Sequence, residues 1–181
     1  MTREAVLIAG ERLLRSGARA LTMRRLAAAL TMAPGTLYHH VPGGLDELRA
    51  AIGARMLDRC TRAVVRVRTP AVRAHALESA LVVIYRTAAA QPPLAEAVLS
   101  PRGPSTNRDE SWNRLLDALS EQVDRSGNAV SRGILSQLVM ALLLLGASST
   151  RHRRFAALAQ DLITVTLAGA RKLAPTARPI R

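Results

Sequence analysis

The chain has 181 residues, a net charge of +13 and one cysteine, Cys60. A single cysteine excludes an intramolecular disulfide framework and a cysteine-rich zinc site, and it fits a reducing compartment. The longest apolar run, Leu138 to Ala147, spans ten residues, about half of the ~20 that a membrane-crossing helix needs. Arg3, Glu4 and Glu11 interrupt the apolar residues of the N-terminus, so it does not read as a signal peptide. The expectation is a soluble, cytoplasmic protein with no membrane partner. Apolar residues make up 49% of the chain but aromatic ones only 2%. The core must therefore be built of Ala, Leu, Val and Ile on residues that favour helix, which predicts an all-α fold. Lys172 is the sole lysine. Arginine suits phosphates and base edges because its planar fork donates two parallel hydrogen bonds, although an arginine-for-lysine bias also follows from genome composition alone. The basic balance favours an anionic partner such as DNA.

In chain order, Val6, Ala9 and Leu13 share one face of a helix from Arg3 to Ser16, with Gly17 where a left-handed cap is wanted. Thr22 is placed to cap a short second helix from Met23 to Leu30, which buries Leu26 and Leu30. After Thr31-Met32-Ala33, Pro34 has the fixed φ of a first helical position, and a third short helix carries Gly35 to His40. Pro42-Gly43-Gly44 stops it. Leu45, Leu48, Ile52 and Met56 continue at helical spacing in a long fourth helix, 45–66, that ends before Pro70. Five further helices are expected, roughly Val72 to Ala90, Pro93 to Leu99, Glu110 to Arg125, Ala129 to Ser148 and Arg153 to Leu173. Between them, Ser100 to Asp109 reads as a loop. About nine helices result, divided into a head (1–46), a body (47–173) and a frayed tail (174–181).

Two short helices joined by a tight turn and braced by a third form the arrangement that places one helix in the DNA major groove. The residues Leu21-Thr22-Met23-Arg24-Arg25-Leu26-Ala27 and Pro34-Gly35-Thr36-Leu37-Tyr38-His39-His40-Val41 resemble the tetracycline-repressor (TetR) family of transcriptional regulators. The resemblance covers residues 3 to about 55. It implies an N-terminal helix-turn-helix that reads an operator and a helical ligand-sensing and dimerisation domain. Each matching position also has a physical task of its own. Thr22 caps the second helix and can offer a donor to a phosphate at its positive end. Arg24 reaches a base or phosphate at the groove edge, and Arg25 points about 100° away toward phosphate. Pro34 and Gly35 let backbone approach DNA closely, and Thr36 presents a hydroxyl and a methyl to base edges. By the resemblance, Tyr38 and His39 meet phosphates with His40 nearby, whereas Leu37 and Val41 belong to the core. Taken alone, Tyr38, His39 and His40 would read as an ordinary exposed helix end. Two positions depart from the pattern: Thr31 stands where the family usually has a turn glycine, and Pro42-Gly43-Gly44 lacks its usual lysine. The second departure shifts the expected phosphate contacts onto Arg24, Arg25 or Arg49. Residues 1–49 hold seven arginines and four acids, a net +3 out of +13, so composition does not locate the DNA site.

In the body, the stretch from Ala129 to Ser148 is apolar nearly all round and must be covered on most sides. With the following helix it implies, through the resemblance, a four-helix bundle with a second copy of the chain. The expected homodimer contacts are Leu135, Leu138, Leu142, Leu158, Leu162 and Val165; an intrachain core is the alternative. For a small-molecule effector, His75, Glu78, Val82 and Tyr85 form one stripe of the fifth helix, which Trp112 and Leu116 on the seventh can face. His75 and Glu78 read equally as solvated. They also have metal-ligand spacing, but no third ligand is identifiable, and neither a metal nor a cofactor is expected. Against an enzyme, the chain has no phosphate-binding glycine loop with lysine, no His-Glu-x-x-His and no Gly-x-Ser-x-Gly, and Cys60 has no evident histidine partner. The stronger competing reading is a helical adaptor that binds protein, but it gives no reason for Tyr38-His39-His40 after Pro34-Gly35.

Overall fold

In the computed structural model, residues 2–67, 75–100, 106–126, 130–148 and 154–173 are described, and among them every regular element is helical. Threonines start the first two helices. The Thr2 hydroxyl accepts from the Ala5 N–H at 3.4 Å to open α1 (Arg3–Arg15), and the Thr22 hydroxyl accepts from the Arg25 N–H at 3.2 Å to open α2 (Met23–Ala29). Each satisfies a donor that a helix start leaves orphaned. Gly17, at φ 137, turns the chain into a single 3₁₀ turn, Ala18–Ala20, before α2. Pro34 opens α3 (Pro34–Leu37).

α3 is shorter than its sequence predicts. The backbone N–H groups of Tyr38, His39 and His40 donate to residues three back, Gly35, Thr36 and Leu37, at 3.2, 3.3 and 2.9 Å. This tightened winding carries Tyr38 to His40 as turns beyond the α-helix. Gly44, at φ 64, then redirects the chain into α4 (Gly44–Val65). The Glu47 carboxylate caps that start by accepting from the Gly43 N–H at 2.8 Å, and it also pairs with Arg3 of α1 at 2.6 Å.

α4 is the spine, packed against α1, α5, α6 and α7. Its N-terminal half buries Leu48 and Ile52 under α1, where a Cβ on Gly10 would lie 3.2 Å from Ile52 Cδ1. Its C-terminal half buries Met56, Leu57, Cys60 and Val64 in the body. Burial pushes the Cys60 thiol up to about 12, which keeps it protonated and unreactive. Around α4 stand α5 (Ala76–Ala90), α6 (Pro92–Leu99) and α7 (Thr106–Ser126), with α8 (Arg132–Ser148) and α9 (Phe155–Leu173) outside them. Two glycines set the closest approaches. A Cβ on Gly53 would stand 2.9 Å from the Ala97 carbonyl oxygen of α6, and one on Gly146 of α8 would stand 2.9 Å from the Ala89 nitrogen of α5. α7 begins four residues earlier than expected, with Asp109 in its first turn, where a carboxylate favours the positive end of the helix. The expected helical residues 72–74, 129 and 153 and the tail 174–181 lie outside the described residues.

The turn between α2 and α3 places Thr31 at φ 54, the one described residue other than glycine in the left-handed region. The Met32 N–H donates to the Ala27 carbonyl at 2.9 Å and the Thr31 N–H to the Ala28 carbonyl at 3.1 Å, the paired bonds of a Schellman cap. A β-branched residue there costs about 1–2 kcal/mol, and exposed Thr31 recovers nothing by packing. Thr31→Gly should therefore stabilise the protein by about 0.5–1 kcal/mol after glycine's greater backbone entropy is subtracted. Thermal unfolding should show the rise as ~1–4 °C in Tm.

Candidate nucleic-acid interface

Leu26, Leu37 and Val41 are fully buried in the core, where α2 packs against α1 and α3 against α2. The residues between them are left outward: Arg24, Arg25, Pro34, Gly35, Thr36, Tyr38 and His39 are exposed, and Thr22 and His40 half-exposed. Tyr38 is 50% exposed and lies over the start of α4, where a Cβ on Gly44 would be 3.7 Å from its Cε1. Gly35 has an ordinary φ, and nothing of the protein lies within 4 Å of where its Cβ would be. No intrachain contact requires glycine at that position. Arg49 instead lines a cleft of about 170 Å³ with Leu14, Pro93 and Glu96, on the seam between head and body.

The head's charges are sorted in a way that composition does not reveal. All four acids of residues 1–49 pair away from the α2–α3 surface: Glu4 with Arg55 (2.5 Å), Glu11 with Arg55 (2.7 Å) and Arg59 (2.5 Å), Asp46 with Arg49 (3.9 Å) and Glu47 with Arg3 (2.6 Å). Among the described residues, Arg12, Arg19, Arg24 and Arg25 meet no carboxylate. Glu11 is the hub of this sorting. Its side chain is 6% exposed, and Arg15 approaches it as well, at 3.4 Å. Gln91, in the corner between α5 and α6, accepts from Arg15 and Arg59 at 3.2 and 3.3 Å, which extends the network to the body. Hydrogen bonding to Glu4 raises the Arg55 guanidinium above its ordinary value, against a lowering by burial.

In the body, a cavity of about 330 Å³ lies between α6, α7 and α8, lined by Val98, Leu99, Ser100, Arg108, Asp109, Trp112 and Met140. Of the six residues expected around a ligand, Trp112 alone lines it. Leu116 is buried in the core, and Val82 and Tyr85 pack half-buried against it. His75 Nδ1 and Glu78 Oε2 face each other at 3.2 Å, and Glu78 Oε1 accepts from Gln160 of α9 at 2.9 Å. That pair ties α5 to α9, and among the described residues no third metal-ligating side chain joins it.

The residues expected at a dimer interface divide. Leu135, Leu138 and Leu142 are 1%, 4% and 0% exposed within the single chain, so they belong to its own core, because α8 turns that stripe toward α5 and α6. A helix apolar all round gave no means of telling its two faces apart. The outward stripe is Gly133, Gln137, Met140 and Leu144, with Leu144 56% exposed. On α9, Leu158 and Val165 are 49% and 70% exposed, Leu162 is half-buried, and Asp161, Ala168 and Gly169 join the exposed face.

No protein-family model matches the sequence, and no curated protein matches it as a relative. Solved structures do match. The TetR-family transcriptional regulator PfmR from Thermus thermophilus has a TM-score of 0.57 at 20% identity, over 92% of this chain and 96% of its own. A regulatory protein of the same family from Rhodococcus RHA1 gives 0.58 at 18% identity, over 93% and 96%. Apo ActR from Streptomyces coelicolor gives 0.56 at 24% identity, over 96% and 98%. The chain has the TetR-regulator fold. Within that fold, Glu11 joins α1 to α4, and Glu11→Ala would leave Arg59 partly buried without a carboxylate and Arg55 with Glu4 alone. Breaking such a pair on one side costs about 3–5 kcal/mol when both partners are fully buried, and about 2 kcal/mol is expected here because both arginines are in part solvated. Glu11→Gln, which keeps an acceptor, should lose less. Urea unfolding of both variants measures the difference.

Proposed function

We propose that the chain is a DNA-binding transcriptional regulator of the TetR type, acting in the cytoplasm as a homodimeric repressor on a palindromic operator. In this reading residues 1–46 form the DNA-binding head, 47–173 the ligand-binding and dimerisation body, and 174–181 a tail. The observation that carries it is the surface of α2 and α3. Arg24, Arg25, Thr36, Tyr38 and His39 are exposed there, Gly35 has open space that only an outside partner would use, and every acid of the head is paired elsewhere. Arg24, Arg25 and the Tyr38 to His40 end contact phosphates or the groove edge, Thr22 caps the helix facing them, and Pro34, Gly35 and Thr36 approach base edges. A small, mainly apolar effector held in the body releases the operator by favouring a head spacing that no longer matches two successive groove faces.

Arg24→Ala and Tyr38→Ala should each weaken operator binding about five- to hundredfold, and the salt dependence should become shallower by about one unit where a phosphate contact is lost. Gly35→Ala should raise thermal stability slightly, by about 0.4–1 kcal/mol, yet reduce DNA binding, since its methyl group meets nothing inside the protein. Gel shifts on fragments upstream of the gene measure all three. Wild-type binding by both Arg24→Ala and Tyr38→Ala would overturn the reading and favour the adaptor.

Dimerisation is expected through the outward stripes, with Leu144 of α8 against Leu158, Leu162 and Val165 of α9 in a two-fold arrangement. Gly133 and Gly169 have room for close approach, since nothing lies nearer to their Cβ positions than 3.9 Å. Sedimentation at micromolar concentration should give about 39 kDa, twice the 19.4 kDa chain, and Leu144→Arg should give a folded monomer. A wild-type monomer under those conditions would remove the dimer.

A further inference from the structure

We propose that the cavity between α6, α7 and α8 takes a small aryl carboxylate, its ring against Trp112 and Met140 and its carboxylate on the Arg108 guanidinium. This rests on the regulator reading only in calling the ligand an effector; the ligand's chemistry is argued from the cavity itself.

At about 330 Å³ the cavity is at the small end of ligand sites, which suits a molecule of one or two rings. Its walls are chemically distinct. Val98 and Leu99 supply aliphatic surface, Trp112 an indole face and Met140 a thioether, and the last two are favourable neighbours for an aromatic ring. Met140 is 44% exposed, so an apolar group resting on it removes surface that the chain alone leaves wet. The polar groups are Ser100, Arg108 and Asp109. Arg108 is held rather than free-swinging: its Nη1 donates to the Ser100 carbonyl at 2.6 Å and its Nε stands 4.0 Å from Asp109 Oδ1. Among the described residues its Nη2 meets no acceptor, so donors remain for a ligand oxygen.

Arg108 and Asp109 carry opposite charges, and their exposures decide which sign the cavity favours. The Arg108 side chain is 19% exposed and the Asp109 side chain 58%. The carboxylate is therefore largely screened by water while the guanidinium acts from inside the wall, where electrostatic interactions are stronger. A net charge of +13 adds a general preference for anions. An amine would face the guanidinium at close range, and a neutral carbonyl would meet its remaining donors with weaker hydrogen bonds than a carboxylate makes.

Trp112 is the chain's only tryptophan, so its emission reports on this cavity without interference. The experiment titrates the full-length protein with 3-phenylpropanoate and, separately, with its neutral isostere 3-phenylpropanamide, exciting at a wavelength where neither absorbs. The carboxylate should shift Trp112 emission saturably and bind at least tenfold more tightly than the amide. Arg108→Gln should erase that preference and Arg108→Lys should retain part of it. Exposed Asp109→Asn, which leaves the wall intact, should tighten the carboxylate severalfold and leave the amide unchanged. Equal binding of acid and amide, a preference that survives Arg108→Gln, or no response of Trp112 to either compound would overturn the proposal. A gel shift run in parallel separates the two readings. A carboxylate preference in a protein that binds no upstream DNA supports this ligand class and removes the regulator; DNA binding with an indifferent Trp112 does the reverse.

Discussion

A carboxylate buried as deeply as that of Glu11 is held only where charge and hydrogen bonds return what desolvation takes, and this need governs the arrangement of the head. Removing an ion of this kind from water costs several kcal/mol, and its partners recover that only in good geometry. Arg55 and Arg59, one turn apart on α4, meet its two oxygens at 2.7 and 2.5 Å. Two anchors separated by one turn define both the height and the rotation of α1 against α4 more sharply than apolar packing does, since hydrophobic contact is non-directional. Because Gln91 takes hydrogen bonds from Arg15 and Arg59, the same network ties the head to the corner between α5 and α6. It has an electrostatic consequence too. Glu4 and Glu11, the acids of α1, are engaged on the side of α4, so the surface of α2 and α3 carries arginine without an acidic counterweight.

The apolar periodicity of the chain made its helices legible, and turn residues made the boundaries of the head legible to within a residue or two. Thr22 and Pro34 act locally, one through its own hydroxyl and the other through its own φ, so a linear reading sees them. The end of α3 was less visible: Tyr38 to His40 continue in three-residue steps, a winding that leaves no mark on side-chain spacing over three residues. The positive φ at Thr31 was legible only through the glycine that the resemblance puts at that turn position.

What escaped the sequence depends on partners distant along the chain. Glu11 and Arg59 are 48 residues apart, and nothing in either neighbourhood announces the other. The net +3 of the head therefore understated how basic its outer surface is. The same limit applies to α8. Its leucines occur on both faces, so only the positions of α5 and α6 decide that Leu135, Leu138 and Leu142 turn inward while Met140 and Leu144 stay outside. The cavity beside Trp112 was half legible: the tryptophan reads as a pocket wall, but the polar residues beside it, Ser100, Arg108 and Asp109, fall in a stretch that reads as loop.

The contact between α4 and α6 determines how a change in the body is able to reach the head. Gly53 and Ala97 meet backbone to backbone, with no room even for a methyl group, and close-packed elements shift as units because no void exists to absorb a displacement. Val98, Leu99 and Ser100, the residues directly after Ala97, form one wall of the cavity, and Ser100 also borders the cleft with Leu14 and Arg49 at the head. Displacement of that wall toward α4 is therefore resisted at Gly53. Side chains of intermediate size at position 53 would open a gap between the helices and dissipate such a shift in rotamer changes, whereas glycine leaves the rigid peptide groups themselves in contact.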